Sequence, residues 1–150
     1  MWNKTCNHDK SRLMNKIVTL FAVLAASLFF SACSKPPYEN IDNAQLTALI
    51  GQGVPVYDVR RPDEWKQTGV VEGSRLLTWV DGSGRVQPAF FGTLAAEVPK
   101  DQPVALICRT GNRTDQLARE LMERHGYTKV YNVKNGITGW IGDRQPVVRN

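Results

Sequence analysis

Metal and paired-thiol chemistry find few residues in this chain. Its 150 residues include only two histidines, His8 and His125, and three cysteines, Cys6, Cys33 and Cys108. No cluster with zinc-ligand spacing can be drawn from them, so no metal centre is expected, and nothing in the sequence asks for another cofactor. Long hydrophobic runs are also missing. The uncharged apolar stretch at residues 17–30 (IVTLFAVLAASLFF) has fourteen residues. As a helix it covers ~21 Å, short of the ~30 Å hydrocarbon core of a bilayer, which argues against an ordinary membrane span. An isoelectric point near 9.3 comes without a basic stripe interleaved with aromatics, so nucleic acid is not an expected partner. Internal repeats and low-complexity tracts are absent as well. There remains a chain with an ordinary hydrophobic share of 42% and a length that suits one domain.

The run at residues 17–30 has the length of a signal-peptide apolar region. Lys16 precedes it, and Lys4, Lys10 and Arg12 lie further upstream. Residues 1–32 therefore read as a signal peptide. A buried core helix is the alternative, but the stretch has no strongly polar face. Met14-Asn15-Lys16 and the apolar run would form a complete signal peptide by themselves, which makes Met14 a candidate true start. Phe30-Ser31-Ala32-Cys33 resembles the lipobox of bacterial lipoproteins, where small residues precede a cysteine that is acylated and becomes the mature N-terminus. Phe30 departs from the aliphatic residue usual there.

This resemblance implies lipidation at Cys33 and a membrane anchor on the periplasmic side of a bacterial membrane, with residues 33–40 as a tether. Ordinary cleavage to a soluble periplasmic protein is the alternative. Ser34, in place of Asp, tends to imply outer-membrane sorting. The leader holds 4 of the 19 Lys and Arg and 1 of the 14 Asp and Glu, which leaves 15 against 13, a net of +2. Most of the formal +5 thus belongs to the leader. After cleavage Cys108 is the lone free thiol in a compartment that favours disulfides. It is then either an inert buried thiol or a reactive one.

Downstream, the patterns alternate. Asn43 could cap a helix over residues 44–50, with Leu46, Leu49 and Ile50 on one apolar face, ended by Gly51 and Gly53. Residues 54–59 (VPVYDV) read as a short strand, and Pro62 opens a further helical turn. Residues 81–84 (DGSG) form a loop, and residues 90–98 read as a helix. Residues 104–107 (VALI) are continuously apolar, as in a strand covered on both faces. Residues 114–125 form the clearest helix, with Leu117, Leu121 and Met122 on one side and Gly126 as its stop. Residues 130–133 read as another strand. Strands alternating with helices predict an α/β layer fold around a parallel sheet, here over residues 41–150.

The chemistry concentrates at residues 108–113, CRTGNR, between the buried strand and the clearest helix. A loop curling into a helix N-terminus turns several backbone N–H groups inward, and the helix dipole adds partial positive charge. Arg109 and Arg113 add full charges, and Gly111 allows a tight turn. Such a setting favours the Cys108 thiolate and attracts anions. It suits nucleophilic attack on an anionic, sulfur-bearing substrate.

At these residues the chain resembles the rhodanese family. The likeness also takes in Tyr57-Asp58-Val59-Arg60 with Pro62 and Glu64-Trp65, the stretch from Gly69 to Gly73, and Gly136-Ile137-Thr138-Gly139-Trp140. It implies a rhodanese-like fold, a five-stranded parallel sheet with helices on both faces. It also implies transfer of sulfane sulfur from thiosulfate to cyanide or a thiol acceptor through a Cys108 persulfide. Cys108 would be the nucleophile, and the backbone of Arg109, Thr110, Gly111, Asn112 and Arg113 would hold the persulfide. Arg113 would help to bind thiosulfate, and Asp58 and Arg60 would brace the loop. Gly69-Val70-Val71 departs from the Gly-His-Ile of many members, so altered local packing is expected there.

Three other readings compete. A cysteine phosphatase or arsenate reductase uses a related loop, but such phosphatases place five residues between Cys and Arg, where this chain has four. A non-catalytic module would have no need of an intact Cys108. A protein persulfide relay or redox protein shares the Cys108 chemistry and differs only in its donor. His125 reads as a residue of a helix end, and Trp65, Trp79 and Trp140 as packing residues.

Overall fold

The computed structural model describes residues 35–149; the leader, Cys33 and the first part of the tether lie outside them. Among these residues five short strands alternate with five helices. They are β1 (Glu39–Ile41), α1 (Asn43–Gly51), β2 (Val56–Asp58), α2 (Pro62–Thr68), β3 (Arg75–Leu76), α3 (Phe90–Glu97), β4 (Val104–Ile107), α4 (Asn112–Arg124), β5 (Val130–Val133) and α5 (Gly136–Gly142). The strands form one sheet in the order β1-β5-β4-β2-β3, and every pairing is parallel.

Strand β4 is the axis of the core. Its four residues are all buried, and its side chains alternate between two apolar clusters. Val104 and Leu106 pack with Phe90 and Leu94 of α3 and Leu117, Ala118 and Leu121 of α4. Ala105 and Ile107 pack on the other face with Leu46 of α1 and Ile137 and Trp140 of α5. Helices thus cover both faces, which is why VALI shows no polar alternation.

Several boundaries differ from the sequence reading. The cap of α1 is Asp42, not Asn43: its carboxylate accepts the Gln45 N–H at 2.8 Å while Gln45 returns a bond to the Asp42 N–H. Asn43 is instead buried and bonds Asp143 at 2.7 Å. The folded domain also takes in the last part of the expected tether. Glu39 and Asn40 pair with β5, and Tyr38 is buried in the α3/α4 cluster, because an aromatic ring and an open sheet edge gain more from packing than from solvent. Helix α4 starts at Asn112 rather than Thr114, which brings two residues of the basic loop into its first turn. In the departing Gly69-Val70-Val71 stretch, Val70 pairs antiparallel with Val148, and Val71 fills the α1/α5 cluster.

Candidate active site

Topology sets the position of the site. Strand β2 leads to its neighbour β3 on one side, while β4 leads to β5 on the other. The carboxyl ends of β2 and β4 therefore flank the switch point at which open α/β sheets hold ligands. Arg60 follows β2 there and Cys108 follows β4.

Cys108 sits under a tight loop and is 1% exposed. The Gly111 N–H donates to its Sγ at 3.2 Å. Thr114 Oγ1 lies 3.3 Å from Sγ and also reaches the Gly111 carbonyl at 3.0 Å. A thiolate here would keep the backbone donor and could gain the Thr114 hydroxyl. The turn depends on Gly111, whose φ is +90°. A Cβ there would also lie 2.1 Å from the Lys134 carbonyl oxygen, so the loop packs against the β5–α5 connection at a distance that only glycine permits.

Two amides of α5 pin the loop from behind. Ile137 N–H donates to the Cys108 carbonyl at 2.8 Å, and Thr138 N–H to that of Arg109 at 3.0 Å. These two loop carbonyls are thereby satisfied on the side away from the Gly111 N–H that meets the sulfur.

Asp58 and Arg60 form a buried ion pair, 0% and 1% exposed. Arg60 Nε and Nη2 hold both Asp58 oxygens at 2.9 and 2.6 Å. Nη2 also donates to the Gly69 carbonyl, and Nη1 to Thr68 Oγ1. These bonds fasten α2 to the end of β2. Their link to the cysteine loop runs through Glu64 on α2, whose carbonyl oxygen accepts from Arg60 at 3.3 Å.

Arg113 turns toward Glu64. Its Nη1 and Nη2 meet the two carboxylate oxygens at 3.0 and 3.2 Å. Glu64 also accepts the Arg61 N–H at 3.0 Å. Burial pushes the Glu64 carboxyl up, but Arg113, that backbone N–H and Arg61 together outweigh it and hold the carboxyl below its ordinary range. Arg109 is exposed and makes no ion pair among the described residues. A cleft of about 140 Å³ lies beside the loop, lined by Arg60, Glu64, Thr68, Arg109, Thr138 and Ile141 among others. Thr110 and Asn112 are exposed on the loop.

The structure thus brings Cys108, Gly111 and Arg113 together, with Asp58 and Arg60 at the neighbouring strand end. Sequence reasoning assigned no role to Glu64, Thr114 or the first turn of α5. Thr114 could have been found as the residue one helical turn after the loop. The Glu64–Arg113 contact spans 49 positions and has no local signal. His125 caps α4 and stacks on Phe91 at 4.0 Å, away from the site.

Comparisons with known proteins agree with this geometry. Residues 42–143 match the Rhodanese-like domain family. A sulfurtransferase of Allochromatium vinosum is 40% identical over 53 residues, which is 35% of this chain and about half (49%) of that relative. The uncharacterized protein YibN of Escherichia coli K12 is 29% identical over 89% of this chain and 86% of its own length. The crystal structure of Rv0390 from M. tuberculosis superposes with a TM-score of 0.63 at 25% identity, over 75% of this chain and 99% of that one. With the family signature spanning most of the described residues and the fold matching, the chain belongs to the rhodanese-like domain family.

Proposed function

We propose that the protein is a sulfurtransferase that carries sulfane sulfur on Cys108 as a persulfide, taken from thiosulfate and passed to cyanide or a thiol. The observation that carries this reading is the Cys108 sulfur inside its loop, meeting the Gly111 N–H and the Thr114 hydroxyl. In the first half-reaction the thiolate attacks the outer sulfur of thiosulfate. An S–S bond forms to Cys108, the old S–S bond breaks, and sulfite leaves with its electron pair. In the second, cyanide or a thiolate attacks the outer sulfur and Cys108 leaves as thiolate, ready for another donor. No external oxidant or reductant is required. The role of the loop is to receive the negative charge that moves between the two sulfur atoms, through the Gly111 N–H and the Thr114 hydroxyl already beside Sγ.

The reading extends to location. A signal peptide over residues 1–32 and acylation of Cys33 would hold the domain at the periplasmic face of a bacterial membrane, with the soluble periplasmic form as the alternative. The supporting features are the charged leader, the apolar run and Ser31-Ala32-Cys33.

Mass spectrometry of the full chain expressed in a bacterium tests both parts. Thiosulfate treatment is expected to add one sulfur, about 32 Da, to the Cys108 peptide. Cyanide should remove it, and Cys108→Ser should never acquire it. Sulfur transfer at the normal rate by Cys108→Ser would refute the mechanism. In the same spectra a mature N-terminus at acylated Cys33 is expected, and an intact leader would refute export.

A further inference from the structure

Arg113 is the cation in the first turn of α4, which opens from the cysteine loop, yet it already holds a carboxylate. Both Glu64 oxygens engage its guanidinium, at 3.0 and 3.2 Å. The side chains are 10% and 21% exposed, so this is not a solvent-separated surface pair. Glu64 is fixed from a second direction by the Arg61 N–H at 3.0 Å, and its helix is fastened to β2 by Arg60. The Arg61 guanidinium lies 3.7 Å from Glu64 as well but also pairs with Asp63. An anion approaching Cys108 therefore meets an Arg113 whose charge is offset by Glu64, with Arg109 as the unpaired loop cation among the described residues.

We propose that Glu64 is a specificity-determining residue, a resident anion on Arg113 that lowers the preference of the site for doubly charged donors such as thiosulfate. Donors of lower charge, namely hydropersulfides on small-molecule or protein thiols, are favoured in proportion. This rests on the Cys108 sulfur-transfer reading and deepens it. The physical basis is that Coulomb attraction toward a guanidinium is offset at short range by a carboxylate in contact with it. A donor with two negative charges feels that offset twice.

The test uses Glu64→Gln in the full chain. Glutamine has the same size, and its carbonyl oxygen can still accept the Arg61 N–H, so the helix start is kept while the charge is removed. Alkylation of Cys108 by iodoacetate, an anion, and by iodoacetamide, which is neutral, is followed on the Cys108 peptide. The ratio of the two rates is expected to rise roughly threefold to tenfold in Glu64→Gln, the effect of one unit charge several Å away, and the rise should shrink at high salt. The thiosulfate kcat/KM should rise further, by roughly tenfold to a hundredfold for two charges, mostly through KM.

A ratio that is unchanged or falls overturns the proposal, since Glu64 would then serve only to hold Arg113 in place. Glu64→Asp keeps the charge and is expected to keep the wild-type ratio. A rise as large as that of Glu64→Gln would overturn the proposal from the other side. Stabilisation of the folded protein by sulfate over chloride at equal ionic strength reads the same anion preference without needing access to the thiol. It should grow in Glu64→Gln, and equal shifts count against the proposal. Failure of the sulfur-transfer reading looks different: the alkylation ratio rises, but no variant forms a persulfide from any donor.

Discussion

Arg60 carries a full charge into a place with almost no solvent, and its neighbours account for how that is tolerated. Asp58 neutralises it, and the Thr68 hydroxyl and Gly69 carbonyl take further N–H groups. A buried pair of this kind adds little over apolar packing, but breaking it strands a charge. Arg60→Met is therefore expected to destabilise the fold by about 3–5 kcal/mol, because Asp58 would be left buried and unpaired. Arg60→Lys should also be costly, since one ammonium cannot reproduce the fork that spans two carboxylate oxygens and three further acceptors. Urea denaturation followed by circular dichroism measures both. A change below about 1 kcal/mol for Arg60→Met would mean that water reaches Asp58. Arg113 differs in kind: its pair with Glu64 is partly exposed and stands at the reactive loop. At this scale the sequence was informative about Cys108, Asp58 and Arg60, whose neighbours in the chain are also their partners. It was silent on which carboxylate meets Arg113.

Two elements meet back to back at the site, the cysteine loop and the start of α5. The contact is made by backbone rather than side chains, so its tolerance is set by glycine. Gly136 has φ +54°, and a Cβ there would lie 2.5 Å from the Cys108 carbonyl oxygen and 2.6 Å from that of Arg109. Gly136→Ala must therefore push α5 and the loop apart and weaken the Ile137 and Thr138 amide bonds. The expected cost is about 1–3 kcal/mol in stability, with a fall of roughly tenfold or more in sulfur-transfer kcat/KM as the loop shifts. Gly92→Ala in α3, where an added Cβ meets nothing within 4 Å, is the control and should leave activity unchanged. Equal activities in the two variants would show that the α5 contact does not position the loop. Gly136-Ile137-Thr138-Gly139-Trp140 stood out in the sequence as a motif, but its purpose is visible only where it touches residues 108 and 109.

Across the whole molecule, tyrosines tie distant segments together. Tyr38, before β1, bonds Asp115 of α4, and Tyr57 of β2 donates to Glu97 of α3 at 2.6 Å. Burial, reinforced by the neighbouring carboxylates, pushes both phenols up to about 12. Burial also pushes the Tyr127 phenol up. A folded-state pKa above the unfolded value of about 10 means that the folded chain holds its protons longer. The stability these groups contribute is complete below that unfolded value and is lost as pH rises toward 12. The urea midpoint is thus expected to fall between pH 9 and pH 11.5, and Tyr38→Phe with Tyr57→Phe should flatten the fall. A midpoint that does not change over this range would contradict the assignment.

The sequence by itself determined the layer pattern, the buried strand before Cys108, the helix after it and the basic glycine loop between them. These follow from periodicity, caps and turn residues, all of them local effects that act within a few positions. Tertiary structure alone decided that Tyr38 and Glu39 belong to the folded domain, that the amides of α5 hold the loop carbonyls, and that Glu64 occupies Arg113. Each of these joins segments far apart in the chain. Which carboxylate or carbonyl lies within hydrogen-bond reach depends on the order of strands in the sheet, and that order is set by the packing of two apolar clusters rather than by any one residue.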